Sequence, residues 1–163
     1  MIRHCFRLMV IAALSVLITA CASAPEQSLY EEIGGHKTLN TIYGVAITRI
    51  YTDPVIGHYF KGVPKKHLRD QLVLQTCELI GGPCEYDGKT MLESHTGLNI
   101  KEREFYILVE YVQGAMRDVG LTYQQENRIL KLLAPIKYET VYLKESVYLY
   151  VLYTLNKADT LTF

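Results

Sequence analysis

A chain of 163 residues with 17 basic and 17 acidic side chains has no net charge, which argues against a nucleic-acid binder, since that role needs a basic footprint. The length favours one domain plus extensions, and 49% apolar residues suffice for a core. Trp is absent while Tyr occurs 13 times, many of them near the C-terminus.

The first twenty residues read as a signal peptide. Arg3 and Arg7 flank the start of LMVIAALSVLI, residues 8–18, a run too short to span a bilayer comfortably. It passes into ITAC, residues 18–21, which resembles the bacterial lipobox. That resemblance implies cleavage before Cys21, lipidation of that cysteine and a firm membrane anchor, because several acyl chains hold where one does not. An ordinary secretory signal cleaved after an alanine is the alternative. Both readings export the chain, to the periplasm or to an outer-membrane-anchored position, and residues 21–28 form the lipidated tether. Cys5 leaves with the signal, so Cys77 and Cys84 remain. An exported compartment permits a disulfide between them, across the turn IGGP, and two unpaired structural cysteines fit equally. No CxxC, HExxH or paired Cys/His spacing points to zinc.

Beyond the tether, Gly34-Gly35 precedes a helical run. Leu39, Ile42, Tyr43, Ala46, Ile47 and Ile50 recur at helical spacing and predict one apolar face of about four turns. Asp53-Pro54 stops or kinks it, and a short segment ends in His58-Tyr59-Phe60. Pro64 suits the first turn of the next helix, on which Leu68, Leu72, Gln75 and Leu79 form one stripe with a glutamine inside it. Gly81-Gly82-Pro83 ends that helix. CEYDG, residues 84–88, reads as a loop, and a short helix around Lys89–His95 follows. Asn99, with Glu102 three residues later, reads as a capping pair ahead of Phe105, Leu108, Val109, Val112, Met116 and Val119. Thr122 and Gln125 form a second pair, and Ile129, Leu132, Leu133 and Ile136 predict the last helix, in which Pro135 should form a kink or be accommodated. Residues 29–141 are therefore an all-α domain. In the extension 142–163, VYLYVLYTL (147–155) is β-branched and aromatic. It is too short to span a membrane and reads as a docking segment against the domain or a partner, or as an unstructured tail.

Four histidines follow the signal: His36, His58, His67 and His95. A lone histidine is usually structural. His95, however, ends a short helix, where the dipole favours a cation or a strong base, and helices with broad apolar faces flank it. A large apolar cofactor could lie among them with its metal on one imidazole, as haem iron is held by a proximal histidine.

LYEEIGGH (29–36), YF (59–60), LIGGP (79–83), YDGKTMLESH (86–95) and LLAP (132–135) follow one another along the chain. In order, spacing and identity they resemble the bacterial group I truncated haemoglobins over about residues 28–141. The resemblance implies a truncated globin fold, a two-over-two helical sandwich around haem b, with His95 as the iron ligand. It places Phe60 against the haem face, Tyr86 in the loop before the proximal helix, and Met91, Ile100, Phe105 and Leu108 along the proximal and rear walls. Each of these is also a plausible ordinary core residue.

The distal side departs from the family. The usual tyrosine position falls on Ile47, the glutamine positions on Leu68 and Leu72, and a position often held by histidine on Gln71. A buried hydrogen bond to a charged group is worth roughly 1.5–3 kcal/mol, so losing the donors should cost tenfold or more in oxygen retention and much less for carbon monoxide. Gln75, in the apolar stripe, and Tyr43, one turn before Ile47, are substitute donors. Gln71 should sit near the haem propionates or in solvent, and His58 or His67 could supply a sixth ligand.

The implied function is binding of oxygen or another diatomic gas, nitric oxide or carbon monoxide, in oxygen transport or nitric oxide-related redox chemistry. The latter needs an electron-donor partner, because the sequence shows no flavin or nicotinamide motif. No nucleophile–base motif such as GxSxG appears, which leaves enzyme activity open as a dioxygenase- or peroxidase-like side reaction. The alternative from another class is a globin-fold lipoprotein that has lost haem and acts as a structural or interaction module. The distal departures favour it; His95, Phe60 and YDGKTM oppose it.

Overall fold

The computed structural model describes residues 27–141. The signal segment 1–20, Cys21 with most of the tether, and the extension 142–163 lie outside the described residues.

All regular structure among the described residues is helical. α1 (Leu29–Glu32) opens on a capping box: the Ser28 hydroxyl accepts the Glu31 N–H at 3.3 Å, and the Glu31 carboxylate accepts the Ser28 N–H. Gly34, at φ +92°, turns the chain into α2 (Gly35–Ile50). α2 buries Leu39, Ile42, Tyr43, Ala46, Ile47 and Ile50, the face its spacing predicts. Asp53 then accepts the N–H groups of Val55 and Ile56, each at 2.8 Å, and leads the chain into a 3₁₀ turn at Gly57–Phe60. α3 (Lys65–Leu79), α4 (Met91–His95), α5 (Glu102–Asp118) and α6 (Tyr123–Leu133) follow. Pro135 does not kink one long helix. It sits in a separate 3₁₀ turn, Ala134–Ile136, before α7 (Lys137–Thr140), because it lacks the N–H that an α ladder needs there.

α2 packs on α3 and α5, α3 on α6, and α5 on α6, which makes the expected two-over-two sandwich. The core lies between the layers and includes Leu39, Ile50, Val73, Cys77, Met116 and Ile129, each almost fully buried. Glu126, on α6, is buried within this layer and is paired with Arg117 of α5, which donates to it at 2.8 and 3.1 Å.

Two local details go beyond what spacing showed. The α3 stripe lies beside the face that packs on the core. Val73, Thr76, Cys77 and Ile80 are buried, while Leu68, Leu72 and Gln75 are half-buried and Leu79 is 38% exposed. One residue advances about 100° around a helix, so α3 carries two adjacent faces, one on the core and one beside it. Asn99 is not the cap of α5. It takes a left-handed conformation, φ +53°, and the cap falls at Lys101, whose N–H donates to Glu104 at 2.8 Å. Ile100 is buried just ahead of this cap. It holds the apolar position before the cap, with Phe105 at the matching position inside the helix, the sequence arrangement of a hydrophobic staple.

Candidate functional site

Five residues are too few to hold α4 as a helix by themselves, and its flanks supply the restraint. The Thr90 hydroxyl accepts the Glu93 N–H at 3.2 Å, and the Glu93 carboxylate accepts the Thr90 N–H at 2.9 Å. The Thr90 N–H and hydroxyl, both donating to the Glu93 carboxylate, hold that carboxyl below its ordinary range. Just ahead, the Tyr86 hydroxyl donates to the Lys89 carbonyl at 2.7 Å. Burial raises the Tyr86 pKa, with Asp87 adding to the rise, so the group stays a neutral donor. The TMLE pattern of this cap was readable in the sequence as a capping box and went unused there.

Met91 and His95, four residues apart, are half-buried, whereas Leu92, Glu93 and Ser94 between them are exposed. His95 Nδ1 lies 2.7 Å from the Met91 carbonyl oxygen. A carbonyl only accepts, so Nδ1 carries a proton, and in the neutral imidazole Nε2 then holds the lone pair. That is the tautomer an imidazole needs to ligate a metal through Nε2 with its other nitrogen anchored.

The loop between α3 and α4 is tied to α3. Cys77 and Cys84 form a disulfide with Cα atoms 5.8 Å apart, which settles the pairing left open by the sequence. The Tyr86 N–H donates to the Glu78 carboxylate at 3.3 Å. At Gly88 a Cβ would stand 2.2 Å from Gln71 Oε1 and 2.5 Å from the Tyr86 ring, so the loop approaches α3 closely only because this residue has no side chain. Gln71 therefore lies against the loop rather than out in solvent.

Beside its core face, α3 presents Leu68, Leu72 and Gln75, all half-buried. Both leucines pack on the core edge. The Gln75 carboxamide has no hydrogen-bond partner among the described residues. Ile47 is buried in the α2 face. The Tyr43 hydroxyl is bonded to the Thr76 hydroxyl across the α2–α3 interface, and burial pushes its pKa up to about 12 despite the Thr76 bond. It is thus a neutral group engaged inside the core, a partnership that spacing alone did not reveal. Phe60 is half-buried, 5.5 Å from the Tyr51 ring. On α5, Phe105 and Leu108 are half-buried too. Glu104 accepts the Tyr59 hydroxyl at 2.8 Å, joining the turn that carries Phe60 to the start of α5. His58 and His67 are both exposed.

The arrangement suits a flat apolar cofactor. α4 packs on α7, while α3 packs on α2 and α6, and apolar side chains on α3, α5 and the Phe60 turn stay half-buried where a closed core would bury them. Among the described residues no three His, Cys, Asp or Glu side chains cluster as a metal cage. A metal on His95 would therefore bring its remaining ligands with it, as the iron of a macrocycle does.

The two-layer helical sandwich, with a half-buried imidazole on α4, is the arrangement of a globin. The chain belongs to the bacterial-like globin family, whose model matches residues 28–142. It is 27% identical over 107 residues to the group 1 truncated hemoglobin of Tetrahymena pyriformis, covering 66% of this chain and 88% of that protein. It is also 27% identical over 113 residues to the group 1 truncated hemoglobin of Mycolicibacterium paratuberculosis, covering 69% and 83%. The crystal structure of the Tetrahymena pyriformis truncated hemoglobin in its Fe(III) form superposes with a TM-score of 0.68 at 25% identity, over 72% of this chain and all of that one. Haem is the cofactor of this family.

Proposed function

We propose that the protein holds haem b through His95 Nε2 and offers its iron to a diatomic gas. The observation that carries this is the His95–Met91 hydrogen bond, which frees Nε2 on the half-buried side of α4. Haem bound there supplies an iron centre for oxygen, nitric oxide or carbon monoxide. Phe60, Leu68, Leu72, Met91, Ile100, Phe105 and Leu108 enclose it and exclude water. Tyr86 fixes the start of α4, and Gln71 packs the loop against α3. Gln75, which has no hydrogen-bond partner among the described residues, is the donor we assign to a bound gas. Tyr43, held by Thr76, is not.

Oxygen binding fits this pocket as weak retention, and nitric oxide chemistry would draw electrons from a separate partner. Export with a lipid anchor at Cys21 belongs to the same proposal. The apolar run, ITAC and the Cys77–Cys84 disulfide support it, since disulfides persist in oxidising compartments. Titration of the haem-free protein with haem tests the reading. Wild type should develop one Soret band that saturates at one haem per chain, and His95→Ala should not. A wild type without that band, yet folded by circular dichroism, would leave a globin-fold interaction module as the function.

A further inference from the structure

The covalent link nearest His95 does not lie on α4. Cys77 is fully buried in the last turn of α3, Cys84 is half-buried in the loop, and their bridge closes a stretch with a sequence separation of 7. From Cys84 the chain runs to Tyr86, whose N–H is held by Glu78 of α3 and whose hydroxyl holds the Lys89 carbonyl. Thr90 and Glu93 then cap α4, and Met91 fixes His95 Nδ1. Each of these non-covalent ties is local and partly solvent-exposed, and α4 contributes no fully buried residue. The disulfide is the one covalent restraint among them. Gly82 shows how closely it is seated, since a Cβ there would stand 2.5 Å from Cys77 Sγ.

We propose that Cys77–Cys84 is a thiol-responsive clip that joins α3 to the loop leading into α4 and His95, and that its reduction loosens the hold on haem. The proposal rests on the haem reading for its second half only. A dithiol reductant is the partner class. Its thiolate attacks Cys84 Sγ, the more accessible sulfur. The Cys77–Cys84 bond breaks, and Cys77 leaves as a thiolate that takes a proton from water. The second thiol of the reductant then attacks its own sulfur in the mixed disulfide and releases Cys84. Two electrons pass to the protein, and the reductant ends as a disulfide. Opening the bridge restores conformational freedom to residues 84–90, and α4 loses the restraint on its leading end.

The test compares the full chain in three forms: oxidised, reduced with dithiothreitol, and Cys84→Ser, which leaves the buried Cys77 in place. Hydrogen exchange is followed in residues 86–95 and in α2, without haem and with it. Haem transfer to an excess of a haem-free acceptor globin is timed alongside. In both altered forms, exchange in residues 86–95 should speed by about tenfold or more while α2 is unchanged, because local openings need not reach the global unfolding limit. Haem should leave about tenfold faster, a change of about 1.4 kcal/mol, and reoxidation of the wild type should restore the slow rate. Equal exchange in the oxidised and reduced forms would overturn the clip, as would acceleration spread evenly over α2, α5 and α6. If the oxidised protein takes up no haem, the haem reading falls, and exchange in residues 86–95 still decides whether the clip exists.

Discussion

On α4 and the turn that leads into it, polar groups are paired. Thr90 and Glu93 cap each other, Tyr86 holds Lys89, and Met91 holds one nitrogen of His95. On the α3 side, Leu68 and Leu72 offer nothing polar, Ile47 is buried, Tyr43 is engaged by Thr76, and the Gln75 carboxamide has no hydrogen-bond partner among the described residues. Holding a metal needs one nitrogen in one orientation, so that side must be rigid. Discriminating among gases depends on whether a donor faces the sixth position, and here the donors are few. On the proposed function, this contrast would keep a haem firmly and hold a polar gas weakly.

Substitutions can break this contrast, beginning with the largest effect. His95→Ala should remove stable haem binding altogether, read as loss of the Soret band after desalting, with folding intact by circular dichroism. Removing the bridge with Cys77→Ala/Cys84→Ala should cost about 2–3 kcal/mol of stability, the entropy of closing a short loop, measured by urea unfolding without haem. Returning a donor with Leu68→Gln should slow oxygen release by roughly tenfold or more, as a charge-assisted hydrogen bond would, and leave carbon monoxide nearly unchanged. Gln75→Leu should do the reverse in stopped-flow measurements. Tyr43→Phe should cost only about 1 kcal/mol and leave oxygen release as it was. A large change in release would mean that Tyr43 reaches the gas.

The smallest effect is on pH dependence. The Tyr111 hydroxyl and the N–H groups of Ile56 and Val55 hold the Asp53 carboxyl below its ordinary 3.8. A depressed carboxylate stabilises the fold above the unfolded value, and that contribution is lost as pH falls through the lower folded value. Urea midpoints should therefore drop below about pH 4, with a smaller drop in Asp53→Asn.

The amphipathic pattern of α2, the Thr122 cap and the glycine turns could be read from residue spacing, because each is a local rule. His95 was reached differently, through the resemblance of the YDG…H segment to the truncated haemoglobins, because a lone histidine carries no signal in its spacing. What spacing could not separate were the two faces of α3. Leu68, Leu72 and Gln75 follow the same period as core residues, yet Val73, Thr76 and Cys77 face the core, and only packing against α2 and α6 decides between them. The start of α5 was misplaced because Asn99 is a good cap in isolation. The burial of Ile100 moves the cap to Lys101, a residue with no capping side-chain preference. Tyr43 and Thr76 lie 33 positions apart, beyond the reach of any local pattern.

The most direct measurement is resonance Raman spectroscopy of the ferrous haem complex, in the region of the iron–imidazole stretch. Wild type should show that band, His95→Gly should lack it, and free imidazole added to His95→Gly should restore it. A band that persists in His95→Gly without added imidazole would place another residue on the iron and contradict the assignment of His95.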